Sequence, residues 1–367
     1  MKMENKIGIL TFHTALNYGA VLQTYALQKF LNNIGIDNEV IDYRCPYIEK
    51  SYKPFLVSDG KIINSIVRGI FFGNVIQKKR KVFQDFVSKN ISTSPKYSII
   101  KELIPLKDQY RYFITGSDQV WSPIAAGFDE AYFLPFVAEN RKYSYAASIG
   151  TTQLTVDQEI EFKNRLKGFS IVSIREKSNE ELIKKIDPTI EVAVHVDPTL
   201  LLSKSDWCKL TLDPIIKEPY LLIFNVEKPI NNIDFAKKLA AEKQLKIVYI
   251  NERTIIKDKS IRYIQAPSPE KFITLFANAD AVVTNSFHGT VFSLIFQKDF
   301  YVELDNKKQR NNRVEALLEM VHISNREITS SYSTSKFDPI NWQLVEEVLK
   351  NERENSSKYL QRINAMI

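Results

Sequence analysis

Strand-length apolar runs alternate with amphipathic helical stretches along most of the chain, and this alternation is the strongest constraint on its fold. The apolar run at residues 7–10 leads through a polar loop into a helical pattern at 22–34, and a second apolar run follows at 39–43. A strand–helix–strand unit of this kind implies parallel strands joined by a right-handed crossover. The same order resumes after residue 105 and again after residue 215.

The alternation falls into two blocks, which predicts an α/β protein with two Rossmann-like, doubly wound domains that face a cleft. A chain of 367 residues is long enough for two domains of ordinary size. We expect an amino-terminal domain over residues 1–205, a carboxyl-terminal domain over 206–340 and a last helix over 341–367. Residues 45–105 interrupt the alternation and are predicted to form a helical insertion in the first domain.

Residues 61–87 are the basic, amphipathic part of this insertion. Apolar side chains that include Ile62, Ile66 and Ile70 recur at helical spacing, and the basic run 78–81 follows them. Two interpretations remain open, because such a face either packs on its own domain or docks on an anionic membrane surface. Amphipathicity by itself favours packing on the domain.

The charge and the cysteine content restrict the class of protein. A formal charge of +7 favours anionic partners such as phosphates, but zinc-finger spacing and RNA-binding signatures are missing, so we expect no nucleic-acid partner. Cys45 and Cys208 match no metal spacing and are too few for a secreted disulfide scaffold. We therefore expect no metal. We also find no signal peptide and no membrane-spanning run, and therefore expect a cytoplasmic protein.

The polar turn at residues 284–290 follows an apolar strand and precedes an apolar helix, so it lies where ligands bind in open α/β sheets. Gly289 and Thr290 open the helix, whose first amides and dipole attract an anion. His288 then either donates to that anion or acts as an acid or base, or it serves as a structural cap. Position alone does not decide between these roles.

Two other strand ends carry charged residues. Arg175 follows the apolar strand 170–174, where a guanidinium suits bidentate capture of carboxylate or phosphate. Its structural alternative is a salt bridge to a neighbouring acid such as Glu176. Asp118 lies in a tight polar turn and is either a general base towards a hydroxyl or an N-cap, with capping favoured by position.

The loop after the first strand and a basic segment near residue 310 complete the set of candidates. His13 lies early in that loop, and its position favours a structural role over a chemical one. Arg310 and Arg313 belong to a basic cluster that is either solvated or faces the cleft. Walker, dinucleotide-binding and H-E-x-x-H motifs are missing, which disfavours P-loop, nicotinamide and zinc-hydrolase chemistry.

Six short stretches between residues 6 and 315 together resemble the polysaccharide pyruvyl transferase family. They occur in this order: G-I-L-T-F-H-T-A-L-N-Y-G-A-V-L-Q, I-T-G-S-D-Q-V-W, S-Y-A-A-S-I-G, V-S-I-R-E-K-S, V-D-P-T-L-L-L and V-V-T-N-S-F-H-G-T-V-F-S. Each stretch is a weak signal, but six in order are specific.

The resemblance implies the architecture of two-domain, B-type glycosyltransferases and a transferase activity. Pyruvate would pass from phosphoenolpyruvate, a co-substrate rather than a cofactor, to a sugar of a surface polysaccharide or its lipid-linked precursor, forming a ketal. It implies that His288 and Arg175 contact phosphoenolpyruvate. The oligomeric state is not predicted.

We assign roles to the candidates accordingly. The expected catalytic residues are His288 and Asp118. The expected donor-binding residues are Arg175, Ser286, Phe287, Gly289, Thr290, Arg310 and Arg313. The expected acceptor-side loop residues are His13, Asn17, Tyr18, Gly19 and Ser117.

The turn departs from the family pattern at one position. Some members carry an arginine two residues before the histidine, where this chain has Ser286. This chain therefore lacks one guanidinium that would bind the three negative charges of phosphoenolpyruvate, unless Arg310 or Arg313 replaces it.

Two alternatives to the pyruvyl transferase function remain. They are a nucleotide-sugar glycosyltransferase of the same architecture and a non-catalytic glycan-binding subunit.

Overall fold

The computed structural model divides into two compact units, which are described separately. The first unit comprises Met1–Lys53, Val87–Leu201 and Lys350–Ile367, and the second comprises Pro54–Phe86 and Leu202–Leu349. The structure describes residues 5–52, 62–251, 258–304, 312–323, 325–328 and 337–366, with the backbone alone for 62–72 and 312.

Each unit is built on one parallel sheet, as the alternation predicts. Within the described residues the first unit has seven strands, listed in chain order: β1 (Ile7–Leu10), β2 (Asn38–Tyr43), β3 (Thr93–Tyr97), β4 (Phe113–Asp118), β5 (Lys142–Ala147), β6 (Val172–Ile174) and β7 (Val192–Val194). The described part of the second unit has five: β8 (Tyr220–Phe224), β9 (Lys246–Ile250), β10 (Ile261–Ile264), β11 (Ala281–Thr284) and β12 (Asp299–Val302).

Helices connect these strands. Those of the described chain are α1 (Tyr18–Asn33), α2 (Pro46–Ser51), α3 (Ile62–Asn90), α4 (Ile100–Leu103), α5 (Val156–Leu166), α6 (Ser178–Ile186), α7 (Lys204–Cys208), α8 (Asn232–Glu242), α9 (Pro269–Asn278), α10 (Phe287–Ile295), α11 (Asn312–Met320) and α12 (Trp342–Ala365).

Both sheets are doubly wound. The order in the first is β3-β2-β1-β4-β5-β6-β7, so the winding reverses between β1 and β4. The order in the second is β10-β9-β8-β11-β12, and the winding reverses between β8 and β11. Every residue of β1, β8 and β11 is buried, as expected for central strands covered by helices on both faces. The two reversal points mark where ligands bind in such sheets.

The predicted helical insertion at residues 45–105 in the first domain is wrong in two respects, because it contains the strand β3 and because its part Pro54–Phe86 belongs to the second unit. This strand pairs in parallel with β2 at the edge of the first sheet. Its sequence, T-S-P-K-Y, has no apolar run and includes Pro95. An edge strand tolerates proline and exposed polar residues, so apolar periodicity gives no signal for it.

The strand β10 was not predicted for a similar reason. It also lies at the edge of its sheet, and only Ile261 of its four residues is buried. Central strands are covered on both faces and give a continuous apolar run, whereas the exposed positions of β10 interrupt it.

Helix α3 carries most of the predicted basic segment 61–87. Residue 61 and the side chains of 62–72, which include the proposed apolar face, lie outside the described residues. Towards the end of the helix, Phe83 and Phe86 are buried, and Lys79 lies 5.3 Å from the ring centroid of Phe83. Among the helices as far as they are described, none is both long enough and apolar enough to span a bilayer.

His195 lies directly after β7 and belongs to the core of the first unit. Its Nδ1 lies 2.8 Å from Oγ of Ser173, and its ring centroid lies 4.4 Å from that of Tyr359 in α12. Burial lowers the pKa of His195 from 6.5 to about 4. The buried imidazole is therefore neutral at a pH where the unfolded chain binds a proton.

We expect the free energy of unfolding to decrease as the pH falls from about 6.5 to about 4, with a contribution from His195 of about 3 kcal/mol. The sign follows from the depressed pKa, since the unfolded state binds more protons within this window. In His195→Gln the same decrease should be smaller, although the variant is less stable at pH 7. Urea unfolding at several pH values measures both slopes, and equal slopes would contradict the prediction.

Candidate functional site

The carboxyl ends of three strands in the first unit bring acidic side chains around one arginine. Arg175 follows β6 directly, and its Nη2 lies 3.8 Å from Oδ1 of Asp118, the last residue of β4. Its Nε donates to Oε1 of Glu176 at 2.9 Å, and its Nη1 donates to Oδ2 of Asp197 at 2.7 Å. The structure thus brings together Asp118 and Arg175, two of the predicted site residues.

Arg175 is deeply buried and fully charged. Its side chain is 3% exposed. Burial alone would lower the pKa of Arg175, but the carboxylates of Glu176, Asp197 and Asp118 together raise it above its ordinary value. The salt bridge to Glu176, which the sequence offered as the structural alternative, is present beside two further carboxylates.

The backbone sets the position of the Asp118 carboxylate. Its φ is 64°, in the left-handed region, which costs a residue other than glycine roughly 1–2 kcal/mol. The carbonyl of Asp118 accepts hydrogen bonds from the amides of Val120 at 2.8 Å and Ser148 at 2.9 Å. These bonds hold the bend at the end of β4 and so fix the position of the carboxylate at the carboxyl end of that strand.

The predicted acceptor-side loop lies next to this end of β4. Asn17 is the N-cap of α1, and its side chain accepts the amide of the third helical residue at 3.3 Å. Tyr18 and Gly19 form the buried first turn of the same helix. Thr11 donates from Oγ1 to the carbonyl of Ser117 at 3.1 Å, which ties the loop to β4 across the reversal point.

His13 is buried in an ion-pair network at the ends of β1 and β2. Its Nε2 lies 2.9 Å from Oδ1 of Asp42, and Arg44 donates from Nη2 to the other oxygen of Asp42 at 2.9 Å. Burial alone would raise the pKa of Asp42, but the hydrogen bonds from His13 and Arg44 lower it below its ordinary value. These are contacts that a structural histidine makes, and the acceptor-side role of His13 stays a prediction.

In the second unit, the turn between β11 and α10 is held by its own side chains. Ser286 is the N-cap of α10, with Oγ accepting the amide of Gly289 at 3.3 Å and the carbonyl accepting the amide of Thr290 at 3.0 Å. The Ser286 amide donates to Oγ1 of Thr284 at 3.0 Å. Serine is among the best N-cap residues, whereas arginine has no acceptor to offer. The departure from the family pattern at Ser286 therefore has a structural explanation.

Gly289 allows α10 to approach the end of β11 closely. A Cβ atom at this position would lie 2.2 Å from Oγ1 of Thr284, closer than side chains tolerate. The glycine after the histidine is thus required by packing.

We expect Gly289→Ala to lower the free energy of unfolding by about 1–3 kcal/mol, because Thr284 or the helix must shift to relieve the overlap. Gly73→Ala in α3 is the matched control, since nothing lies within 4 Å of its added Cβ. Alanine there removes a helical glycine and should stabilise the protein by about 0.5–1 kcal/mol. Equal changes in urea midpoint for the two variants would refute the packing explanation.

His288 is the second residue of α10, and it is buried. Its ring packs edge-on against Phe287, with centroids 5.1 Å apart. Arg313 of α11 lies above the Phe287 ring, with its guanidinium carbon 5.7 Å from the ring centroid. The structure therefore brings Arg313 to the turn that carries His288, while Arg310 lies outside the described residues.

Sequence reasoning missed an asparagine that joins this turn to the loop after β8. Oδ1 of Asn285 accepts the amide of Val226 at 2.9 Å, and its Nδ2 donates to the carbonyl of Glu227 at 3.1 Å. These contacts hold the loops after β8 and β11 together across the reversal point of the second sheet. The T-N-S-F-H-G stretch contained the residue, but the sequence analysis assigned a role only to the residues that follow it.

Glu303, just after β12, was also missed. Its buried carboxylate accepts the successive amides of Ile230, Asn231 and Asn232 at the start of α8. A carboxylate at this position is stabilised by the amides and the dipole of the helix. The amino terminus of α8 thus already holds an anion that belongs to the protein.

The two units offer different chemical groups at the carboxyl edges of their sheets. The first unit presents Asp118 beside the guanidinium of Arg175, and the second presents the imidazole of His288 in the first turn of a helix, with Arg313 nearby. Over the part of the chain that the structure covers, three or more histidine, cysteine, aspartate or glutamate side chains nowhere cluster as metal ligands.

The chain belongs to the polysaccharide pyruvyl transferase family, whose model matches residues 17–302 and thus most of the sequence. The match includes Asp118, Arg175 and His288. The protein is accordingly a transferase on an α/β architecture with two Rossmann-like domains. A comparison with curated protein sequences gives no significant match.

Solved structures resemble the chain in fold. UDP-N-acetylglucosamine 2-epimerase from Rickettsia bellii has 12% identity and a TM-score of 0.50, with 98% of this chain and 96% of that chain covered. At this identity the likeness shows only the fold. The UDP-GlcNAc 2-epimerase from Methanocaldococcus jannaschii has 12% identity and a TM-score of 0.48, with coverages of 95% and 92%. The glycosyltransferase SnogD from Streptomyces nogalater has 10% identity and a TM-score of 0.46, with coverages of 98% and 100%.

Proposed function

We propose that the protein transfers pyruvate from phosphoenolpyruvate to two hydroxyls of a sugar, forming a ketal and releasing phosphate. The sugar belongs to a surface polysaccharide or its lipid-linked precursor. The family match over residues 17–302 carries this proposal, because it includes both the S-F-H-G turn and the strand that ends at Arg175.

The reaction requires an acid, a base and cations. Protonation of the enol carbon leaves positive charge on the neighbouring carbon, which a sugar hydroxyl attacks while losing its proton. A second hydroxyl of the sugar then displaces phosphate from the same carbon, and its proton leaves with the phosphate. Groups that hold the carboxylate and the phosphate of the donor stabilise this sequence electrostatically.

His288 is the proposed acid. It lies in the first turn of α10, where the helix dipole favours an anion, and Arg313 approaches the same turn. Together these groups suit the phosphate of the donor, with the imidazole supplying the proton. Arg313 also provides a guanidinium near the position at which some relatives have arginine and this chain has Ser286.

Arg175 and Asp118 are assigned to the donor carboxylate and the acceptor hydroxyl, respectively. Their side chains lie 3.8 Å apart, and the left-handed backbone holds Asp118 at the end of β4. A base and a cation at this separation suit a hydroxyl that must attack the carbon bearing the donor carboxylate. The loop that contains Asn17, Tyr18 and Gly19 would bind the rest of the acceptor.

We further propose that the protein acts in the cytoplasm and that segment 61–87 contacts the inner face of the membrane. A lipid-linked acceptor would reside at that surface, and basic amphipathic helices bind anionic lipids. The basic residues 78–81 at the described end of this segment support the idea.

The test is incubation of the full-length protein with phosphoenolpyruvate and candidate lipid-linked sugars. We expect phosphate release together with the mass gain of a pyruvyl ketal on the sugar. Release of a nucleoside diphosphate from a nucleotide sugar would instead establish a glycosyltransferase. Glycan binding without turnover of either donor would indicate a non-catalytic subunit.

A further inference from the structure

Asp197 joins three segments of the first unit through one buried carboxylate. Its Oδ1 accepts the amide of Thr199 at 3.0 Å and the hydroxyl of Thr199 at 2.7 Å. Its Oδ2 accepts Nη1 of Arg175 at 2.7 Å and Oγ of Ser117 at 3.4 Å. The side chain of Asp197 is 0% exposed, so both oxygens depend on these protein donors.

The chain contains a second D-P-T turn that shows what this motif does without an arginine. Asp187 accepts the amide of Thr189 at 3.0 Å and its hydroxyl at 2.7 Å, the same distances as at Asp197. Asp187 is partly exposed, and Thr189 is exposed. A turn of this kind therefore needs neither burial nor a guanidinium.

The comparison separates two functions of Asp197. Its Oδ1 makes the ordinary contacts of the turn, as Asp187 does. Its Oδ2 binds Arg175, which Asp187 does not do. Burial of a carboxylate carries a large desolvation cost, and a local turn does not require that burial. That additional contact fixes one edge of the Arg175 guanidinium.

Glu176 holds the guanidinium less rigidly. It is adjacent to Arg175 in the chain, and its Oε1 accepts Nε of Arg175 at 2.9 Å. Asp118 lies beyond hydrogen-bond length at 3.8 Å. Asp197 is the partner whose other oxygen is bound to the backbone, so it defines the plane in which Arg175 presents its remaining N–H groups.

We propose that Asp197 is the positioning residue for Arg175 and sets the orientation in which the guanidinium binds the donor carboxylate. The inference rests on the proposed function, since it assumes that Arg175 binds phosphoenolpyruvate. It assigns a role to the V-D-P-T stretch, whose aspartate does not itself touch a substrate.

The test is Asp197→Asn in the full-length enzyme. Asparagine can keep the Thr199 contacts through Oδ1, but it then turns an N–H donor towards Arg175. We expect kcat/KM for phosphoenolpyruvate to fall roughly 100-fold, mostly through KM, which is the size of effect that a misplaced binding group produces. Asp187→Asn is the matched control, because it changes the same turn motif, and its KM should equal that of the wild type.

A double-mutant cycle distinguishes positioning from general structural damage. If Asp197 acts through Arg175, Asp197→Asn should lower kcat/KM by less than about twofold once Arg175→Met is present. If the separate decreases in kcat/KM of the two single variants multiply in the double variant, the proposal is overturned. An unchanged KM in Asp197→Asn would also overturn it. If Asp197→Asn does not fold, Ser117→Ala removes only one donor to Oδ2, and an unchanged KM for phosphoenolpyruvate there would also overturn it.

The wild-type enzyme separates this inference from the proposed function. Phosphate release by the wild type with a normal KM in Asp197→Asn refutes only the positioning role. A wild type that neither binds nor turns over phosphoenolpyruvate refutes both.

Discussion

Replacement of His288 by glutamine should lower kcat for phosphate release from phosphoenolpyruvate by about 10²- to 10⁴-fold, the usual contribution of a general acid. Glutamine still offers an N–H to the phosphate but cannot transfer a proton at neutral pH. The loss should therefore appear in kcat more than in KM. Steady-state phosphate release with a saturating acceptor measures both constants.

His322→Asn is the matched control for this variant. His322 is exposed and has a φ of 55°, a left-handed conformation that asparagine tolerates better than most residues. We expect unchanged kinetics and stability for it. A His288→Gln enzyme with wild-type kcat would remove the imidazole from the mechanism.

Replacement of Arg175 by methionine should lower the free energy of unfolding by about 3–5 kcal/mol. The change removes the one cation from among the carboxylates of Asp118, Glu176 and Asp197, and it leaves buried negative charge without compensation. Donor binding should be strongly weakened in the same variant. Urea unfolding and titration with phosphoenolpyruvate measure the two effects separately.

The loss of stability in Arg175→Met should depend on pH. Protonation of carboxylates removes the negative charge that Arg175 compensates, so the difference in free energy of unfolding between the variant and the wild type should narrow as the pH falls towards about 4. Arg362→Met is the control, because the ion pair of Arg362 with Glu191 is exposed and should contribute little at any pH. If the difference in free energy of unfolding between Arg175→Met and the wild type stays constant with pH, packing rather than charge explains the loss of stability.

The doubly wound architecture was predictable because central strands leave a strong signal. Each is a short apolar run, and each leads into a helix pattern through a polar turn, as at β8 and β11. The edge strands β3 and β10 were not predictable in this way, since exposed positions and Pro95 disrupt the apolar run. An apolar run therefore reports the burial of a strand rather than strand formation itself.

The candidate site was predictable in its individual residues but not in its pairings. The rule about strand ends selected Asp118, Arg175 and His288, because each follows an apolar run. It could not show that Arg175 binds Asp197, which lies 22 positions away after another strand. Such pairs depend on which strands are neighbours and where each ends, and one sequence does not contain that information.

Ser286 illustrates a different limit. The family pattern made it a missing arginine, whereas the structure makes it the cap of α10. A side chain can be selected for holding a turn together at the position where a relative binds a ligand. Only the hydrogen bonds to Gly289 and Thr284 distinguish the two explanations.

Glu303 also constrains which donors the second unit accommodates. Two helices, α8 and α10, begin beside the reversal point of its sheet, and the first of them already holds the Glu303 carboxylate on three amides. A ligand with one phosphate can use α10 and avoid this charge. A diphosphate that extended from α10 to α8 would meet a fixed negative charge where it needs amides. We therefore expect the Glu303 carboxylate to disfavour the binding of a diphosphate at the start of α8.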